Sequence, residues 1–153
     1  MTQSPLIIGP DEGVSLPLGQ SRLTIKLTAA DTAGRLALLD YAVAPHFRAP
    51  QKLPWRTRET QAVYILDGRI RFSFRDQVVE AVSGSVIYLP EYCAYTWENP
   101  SKELSRMLYL YTPGGLEQLF FDLQKIFQEH PDLSPADTAP FVAELWEKYG
   151  IEM

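Results

Sequence analysis

The spacing of apolar residues changes twice along this chain, and each change predicts a different kind of structure. Residues 1–20 carry Pro and Gly without a sustained period and read as an irregular arm. From Ser21 the period is two: Leu23, Ile25 and Leu27 alternate with Arg22, Thr24 and Lys26, the pattern of a strand with one buried face. A second strand, RLALLDYAV, follows the turn DTAG. AVYILDGRIRFSF sets two strand-like runs either side of Asp67 and Gly68, and this dipeptide predicts a two-residue hairpin. Val63 and Ile65 face inward in the first run; Ile70, Phe72 and Phe74 share the buried face of the second. The runs QVVEAV, SVIYLP, AYTWEN and LSRMLYLYT bring the total to about eight strands before residue 112.

After TPGG the period lengthens to that of a helix. Leu116, Leu119, Phe120, Leu123, Ile126 and Phe127 form one stripe at spacings of three and four, which predicts an amphipathic helix over 116–130. Pro131 and Pro135 end it. A second helix is expected from Thr138 as N-cap, with Pro140 in its first turn, through Phe141, Leu145 and Tyr149 to Gly150. Both apolar stripes need a surface to dock on, either the wall of the β-structure or a second subunit. The expected organisation is one domain over 1–153: an arm at 1–20, a β-barrel at 21–112 and a helical extension at 113–153.

Composition agrees with a packed domain. Of 153 residues, 46% are hydrophobic and 22% charged, far from a disordered composition. The net charge of -5 supplies no positive field for a polyanion, so nucleic acid is not an expected partner. The longest apolar runs, AVYIL and VIYLP, fall far short of the roughly 20 residues that cross a bilayer, and the amino terminus lacks a basic segment before an apolar one. A cytoplasmic protein without a membrane partner is expected. Cys93 is the single cysteine and cannot form an intrachain disulfide; its expected role is that of a small buried hydrophobe. No Ser-His-Asp, Cys-His, phosphate-loop or dinucleotide signature is present.

Many short strands followed by two helices suggest an all-β antiparallel barrel or jelly roll. Two stretches give that architecture a family. GSVIYLPEYCAYTWEN resembles the second conserved motif of the cupin superfamily: Gly84, Pro90 and Asn99 fall on its pattern, while Tyr92 stands at its second Gly and Tyr95 at its His. PWRTRETQAVYILDG resembles the first cupin motif, with Gly68 as the turn and Gln61, seven positions earlier, where the motif has Glu. The motif's two His fall on Pro54 and Arg56 in one register, or on Trp55 and Thr57 in the shorter one. The tail YTPGGLEQLF is similar to the junction into closing helices of flavonol-dioxygenase-like cupins.

The resemblance implies a metal centre of three imidazoles and one carboxylate, and counting excludes it within one subunit, because the chain holds only His46 and His130. His46 is expected on an exposed loop and His130 at a helix end, where its charge would suit the helix dipole. No metal and no other cofactor are therefore expected. In the longer register Arg56, Gln61 and Tyr95 point inward, joined by Phe72, Trp97 and Cys93, and line a mostly apolar pocket for a small aromatic or anionic organic molecule. Arg56 either pairs with Glu59 or anchors a ligand. Tyr95 either lines the pocket or plugs it. The alternatives implied by the resemblance are a dioxygenase-like enzyme, or an isomerase or cyclase using Glu59 or Tyr95 as proton shuttle, or a filled barrel with a partner-binding role. Tyr64 and Leu66, opposite Val63 and Ile65, offer a patch for an expected homodimer.

Overall fold

The structure is a computed structural model that describes residues 4–49 and 52–153; residues 1–3 of the expected arm lie outside the described residues. A six-stranded antiparallel sheet forms one wall. Its strands are β1 (Val14–Leu18), β2 (Ser21–Leu27), β3 (Ala37–Val43), β10 (Ser105–Thr112), β5 (Thr60–Asp67) and β8 (Val86–Leu89), in that spatial order. The opposite wall is a three-stranded sheet of β7 (Val78–Val82), β6 (Arg69–Phe74) and β9 (Tyr95–Glu98). The period-two segments bury alternate residues between the two walls: Leu23, Ile25, Leu39, Val63, Ile65, Ile70 and Phe72 are at most 2% exposed. This is the expected all-β jelly roll.

The Asp67 and Gly68 turn is not a hairpin. β5 pairs with β10 and β8, whereas β6 pairs with β7 and β9, so the dipeptide is a corner at which the chain passes from one wall to the other. Gly68 takes φ 78°, and an added Cβ would collide with the Ser105 side chain. That hydroxyl donates to Arg69 O at 2.9 Å and accepts from Arg69 N at 3.1 Å, filling the backbone bonds that the corner leaves open. Positive φ is thus required here for a sheet crossing rather than for a tight turn.

Two further expectations are corrected. The arm is not wholly irregular, because Val14–Leu18 adds an edge strand to β2. The second helix, α2 (Pro135–Lys148), begins earlier than Thr138. Ser134 is its N-cap, accepting from Asp137 N at 3.2 Å, and Pro135 opens the first turn, where its missing N–H costs nothing. Pro140 therefore lies inside the helix.

The first helix, α1 (Gln118–Glu129), packs against α2. Tyr149 and Lys148 both donate to Asp122, Lys148 at 3.0 Å, and tie the ends of the two helices together. Past Gly150 the chain forms one more strand, β11 (Ile151–Glu152), which pairs with β4 (Trp55–Arg56). No periodicity announced this two-residue strap. It carries the carboxyl terminus directly over the segment that holds Arg56.

Candidate functional site

Five strands send aromatic or polar side chains to one point inside the barrel. Alternation on β3 turns Tyr41 inward between Leu39 and Val43, and alternation on β10 turns Tyr109 and Tyr111 inward after Met107. β5 contributes Gln61, β9 contributes Tyr95 and β4 contributes Arg56. The Tyr95 hydroxyl donates to Gln61 Oε1 at 2.7 Å, and it lies 2.7 Å from the Tyr109 hydroxyl, whose proton it accepts. All three side chains are at most 2% exposed. The Arg56 guanidinium stacks over the Tyr95 ring, 5.2 Å from its centroid.

Above this cluster is a cavity of about 170 Å³. Arg56, Tyr95, Tyr109 and Tyr111 border its polar end, with Tyr41 and Trp97 in edge contact at 5.7 Å alongside. The rest of its lining is mostly apolar: Leu119, Phe120 and Leu123 come from α1, Trp146 from α2 and Ile151, across from Arg56, from β11. The helical extension therefore covers the mouth of the barrel, and Leu119, Phe120 and Leu123 of its apolar stripe dock on the cavity, while Phe127 stays exposed.

The electrostatics of the polar end are one-sided. Burial works against the charge of Arg56, and the Coulombic attraction of Tyr95, Tyr111, Tyr109 and Tyr41 that places the guanidinium above its ordinary range is exerted only when they ionise to phenolates. Burial pushes each of those phenols up as well, so all four are neutral at pH 7 and serve as hydrogen-bond donors, not as counter-ions. Arg56 Nε is shut off from solvent and has no hydrogen-bond partner. The nearby carboxyl, Glu59, is 4% exposed, and its Oε2 is equally without a partner. Burial raises Glu59 above the usual carboxylate range, against the pull of Arg56 and Arg58. No ion pair joins Arg56 to Glu59 among the described residues.

The residues singled out in the sequence divide into three groups. Arg56, Tyr95 and Trp97 border the cavity, and the inward position of Arg56 selects the longer register of the first motif. Gln61 and Phe72 lie one layer deeper: Gln61 holds Tyr95, and Phe72 packs on the Tyr95 ring at 6.2 Å without reaching the cavity. Glu59 is buried outside the cavity lining, and Cys93 is half-buried on a different surface hollow beside Phe74, Tyr88 and Tyr92. Cys93 misses the interior because β9 starts only at Tyr95, so strand alternation does not extend back to it. Tyr41, Tyr109 and Tyr111 escaped the sequence reading, although the alternation in LLDYAV and RMLYLYT carried the signal for them. His46 is exposed, and His130 follows the last turn of α1 with its ring stacked on Phe141 at 4.7 Å.

No protein-family model matches this sequence, and no curated protein matches it. Solved structures do. KdgF from Halomonas sp. superposes with a TM-score of 0.64 over 75% of this chain and 99% of its own, at 11% identity. An RmlC-like cupin from Shewanella frigidimarina gives 0.61 over 77% and 99%, also at 11% identity. A variant of PAC13 from Streptomyces, solved with uridine, gives 0.59 over 75% and 88%, at 16% identity. Identities this low leave the fold as the shared property. The chain has the cupin fold, a jelly roll here closed by two carboxyl-terminal helices.

Proposed function

We propose that this protein binds a small organic molecule inside its barrel without the aid of a metal ion. The observation that carries this reading is Arg56: a half-buried cation that borders the cavity and whose Nε is closed off from water without a hydrogen-bond partner. A guanidinium cannot discharge itself by losing a proton, so the desolvation cost of its closed-off part falls only when an anionic or strongly accepting group joins it. The donor set argues against a divalent cation at the cupin ligand positions, since a guanidinium and neutral phenols offer it no anionic oxygen. Among the described residues no three His, Cys, Asp or Glu side chains cluster to hold a metal. The reading has two tests: elemental analysis of the purified protein, which should give substoichiometric iron, manganese, nickel and zinc, and ligand-observed NMR with a fragment mixture, which should find binders that Leu123→Trp, filling the cavity, displaces. Stoichiometric metal, or fragment binding indifferent to L123W, overturns it.

Acid-base catalysis finds less support. The Tyr95 hydroxyl is engaged on both sides, by Gln61 and Tyr109, and Glu59 does not border the cavity. The space above Tyr95 speaks against the filled-barrel alternative, since that ring packs at the centre and also borders the cavity. Among the described residues no helix is long and apolar enough to cross a membrane. A homodimer through the outer face of the six-stranded sheet completes the proposed arrangement.

A further inference from the structure

Resting on the binding reading above, we infer that the ligand is a monocarboxylate with an apolar body about the size of one aromatic ring: an arylcarboxylate, or an aliphatic acid of equal bulk. Three independent features of the cavity lead to this class. The first is volume. A dry apolar cavity of about 150 Å³ accepts one benzene ring, and this one, at about 170 Å³, leaves room for a ring and a small head group. Flavonols, with three rings, and nucleosides, with a base and a sugar, exceed it; so do most drug-sized ligands, which occupy roughly 300 Å³ or more.

The second feature is charge. One guanidinium faces the cavity, and the polar groups beside it are neutral phenols. Glu59, a carboxyl that burial holds above the usual carboxylate range, is coupled electrically to both Arg56 and Tyr111 and adds no positive charge to the site. A dianion such as phosphate or a dicarboxylate would therefore leave one charge uncompensated in a buried site, whereas a monoanion neutralises it.

The third feature is shape. A guanidinium is a planar array of donors that matches the two oxygens of a carboxylate. Arg56 borders the cavity, with Tyr111 and Tyr41 on the same lining. The rest of the lining is mostly apolar, Leu119, Phe120, Leu123 and Trp146 offering no polar atom except the indole N–H, so the body of the ligand is apolar. So few polar groups also argue against sugars and amino acids, whose donors are spread over the whole molecule.

The test is a calorimetric titration and thermal-shift series on the full chain with benzoate and phenylacetate. Neutral benzamide and benzyl alcohol, dianionic phthalate, inorganic phosphate, uridine and quercetin serve as comparisons. The expected result is that at least one of the two monocarboxylates binds and raises the melting temperature, with each comparison compound at least tenfold weaker. Arg56→Met should abolish that shift, while its own melting temperature stays at or above that of the wild type. Arg56→Lys, which keeps the charge and loses the planar array, should weaken binding by at least tenfold. If a neutral isostere binds as well as benzoate, or uridine or quercetin binds best, the carboxylate inference falls and the broader binding reading stands. If no compound binds, and L123W is as stable as the wild type or more so, both fall. An R56M variant that keeps full affinity for benzoate overturns the inference by itself.

Discussion

Tyr95 meets two requirements at once: it fills the point where the two sheets converge, and its ring forms part of the cavity wall beneath Arg56. Its hydroxyl is the bridge of a three-member cluster, so Tyr95→Phe leaves Gln61 Oε1 without its donor. A buried acceptor left in that state costs about 1–3 kcal/mol, and urea unfolding should show a loss of that size. Replacing Gln61 by Leu in the same background should restore part of it, which a double-mutant cycle measures as a coupling of about 1 kcal/mol. Two uncoupled losses would mean that the cluster is packing alone. Glu59 lends itself to a pH argument. Its carboxyl sits above the ordinary value in the fold, chiefly through burial, so the folded state holds the proton more tightly than the unfolded chain does. Its contribution to stability is complete below the unfolded value of about 4.3 and declines as pH rises through the interval up to the folded value. The advantage of Glu59→Gln over the wild type should therefore grow from pH 4 upward and level off; an advantage independent of pH would refute this sign. Tyr92 shows how motif spacing can be read at single positions. It stands where the resemblance puts a Gly and takes φ 63°, a left-handed backbone that Gly would adopt at lower cost.

Strands were legible wherever apolar and polar residues alternate over five or more positions, because a buried face leaves no other record so regular. Their partners were not. The corner at Asp67 and Gly68 has the local chemistry of a hairpin, and only the competition for β5 from β8 and β10 decides against one, which is information held by distant segments. The start of α2 was misjudged for a local reason: Ser134 and Pro135 are as good a helix opening as Thr138, and the capping bond to Asp137 settles it. β11 was invisible because two residues carry no period. Its consequences are large for its length. Thr57 donates its N–H and its hydroxyl to Gly150 O at 3.0 and 2.7 Å, Trp55 Nε1 donates to Glu152 at 3.1 Å, and Ile151 is 6% exposed above the cavity. Deleting residues 150–153 removes these bonds and exposes an apolar side chain's worth of core, worth about 1.5–3 kcal/mol for Ile151 alone. The deletion should lower stability in guanidinium by about 3–6 kcal/mol, combining that burial with about 0.5–1 kcal/mol for each of the three hydrogen bonds. It should also shift tryptophan emission to the red as water reaches Trp146 and Trp97. An unchanged midpoint would make the strap dispensable.

The inward half of the molecule was easier to foresee than the site, since two motifs fixed the positions of Arg56, Gln61 and Tyr95, whereas Tyr41, Tyr109 and Tyr111 join them only once β3 and β10 lie side by side. The outward half makes its own demand. On the outer face of the six-stranded sheet Tyr64 lies across from Val86 and from Leu108, and Ala62 lies across from Tyr88, so apolar side chains run continuously over three strands. Tyr64 is 43% exposed, Val86 64% and Tyr88 67%. Scattered apolar residues on a surface need no explanation, but a contiguous set on one flat sheet marks an interaction surface. The charges near it, Asp40 and Arg106, are already joined at 2.6 Å on the outer face of β3 and β10, leaving the patch itself uncharged. A second copy of the same face is its natural complement, because two-fold pairing sets the patch against itself and satisfies both copies at once. The chain should therefore sediment as a dimer at micromolar concentration. Tyr64→Lys with Val86→Lys should give a folded monomer, since four ammonium groups, two from each copy, would otherwise face one another across a dry interface. Circular dichroism of that variant separates dissociation from unfolding, and a wild type that sediments as a monomer at 100 µM would leave the patch without this partner.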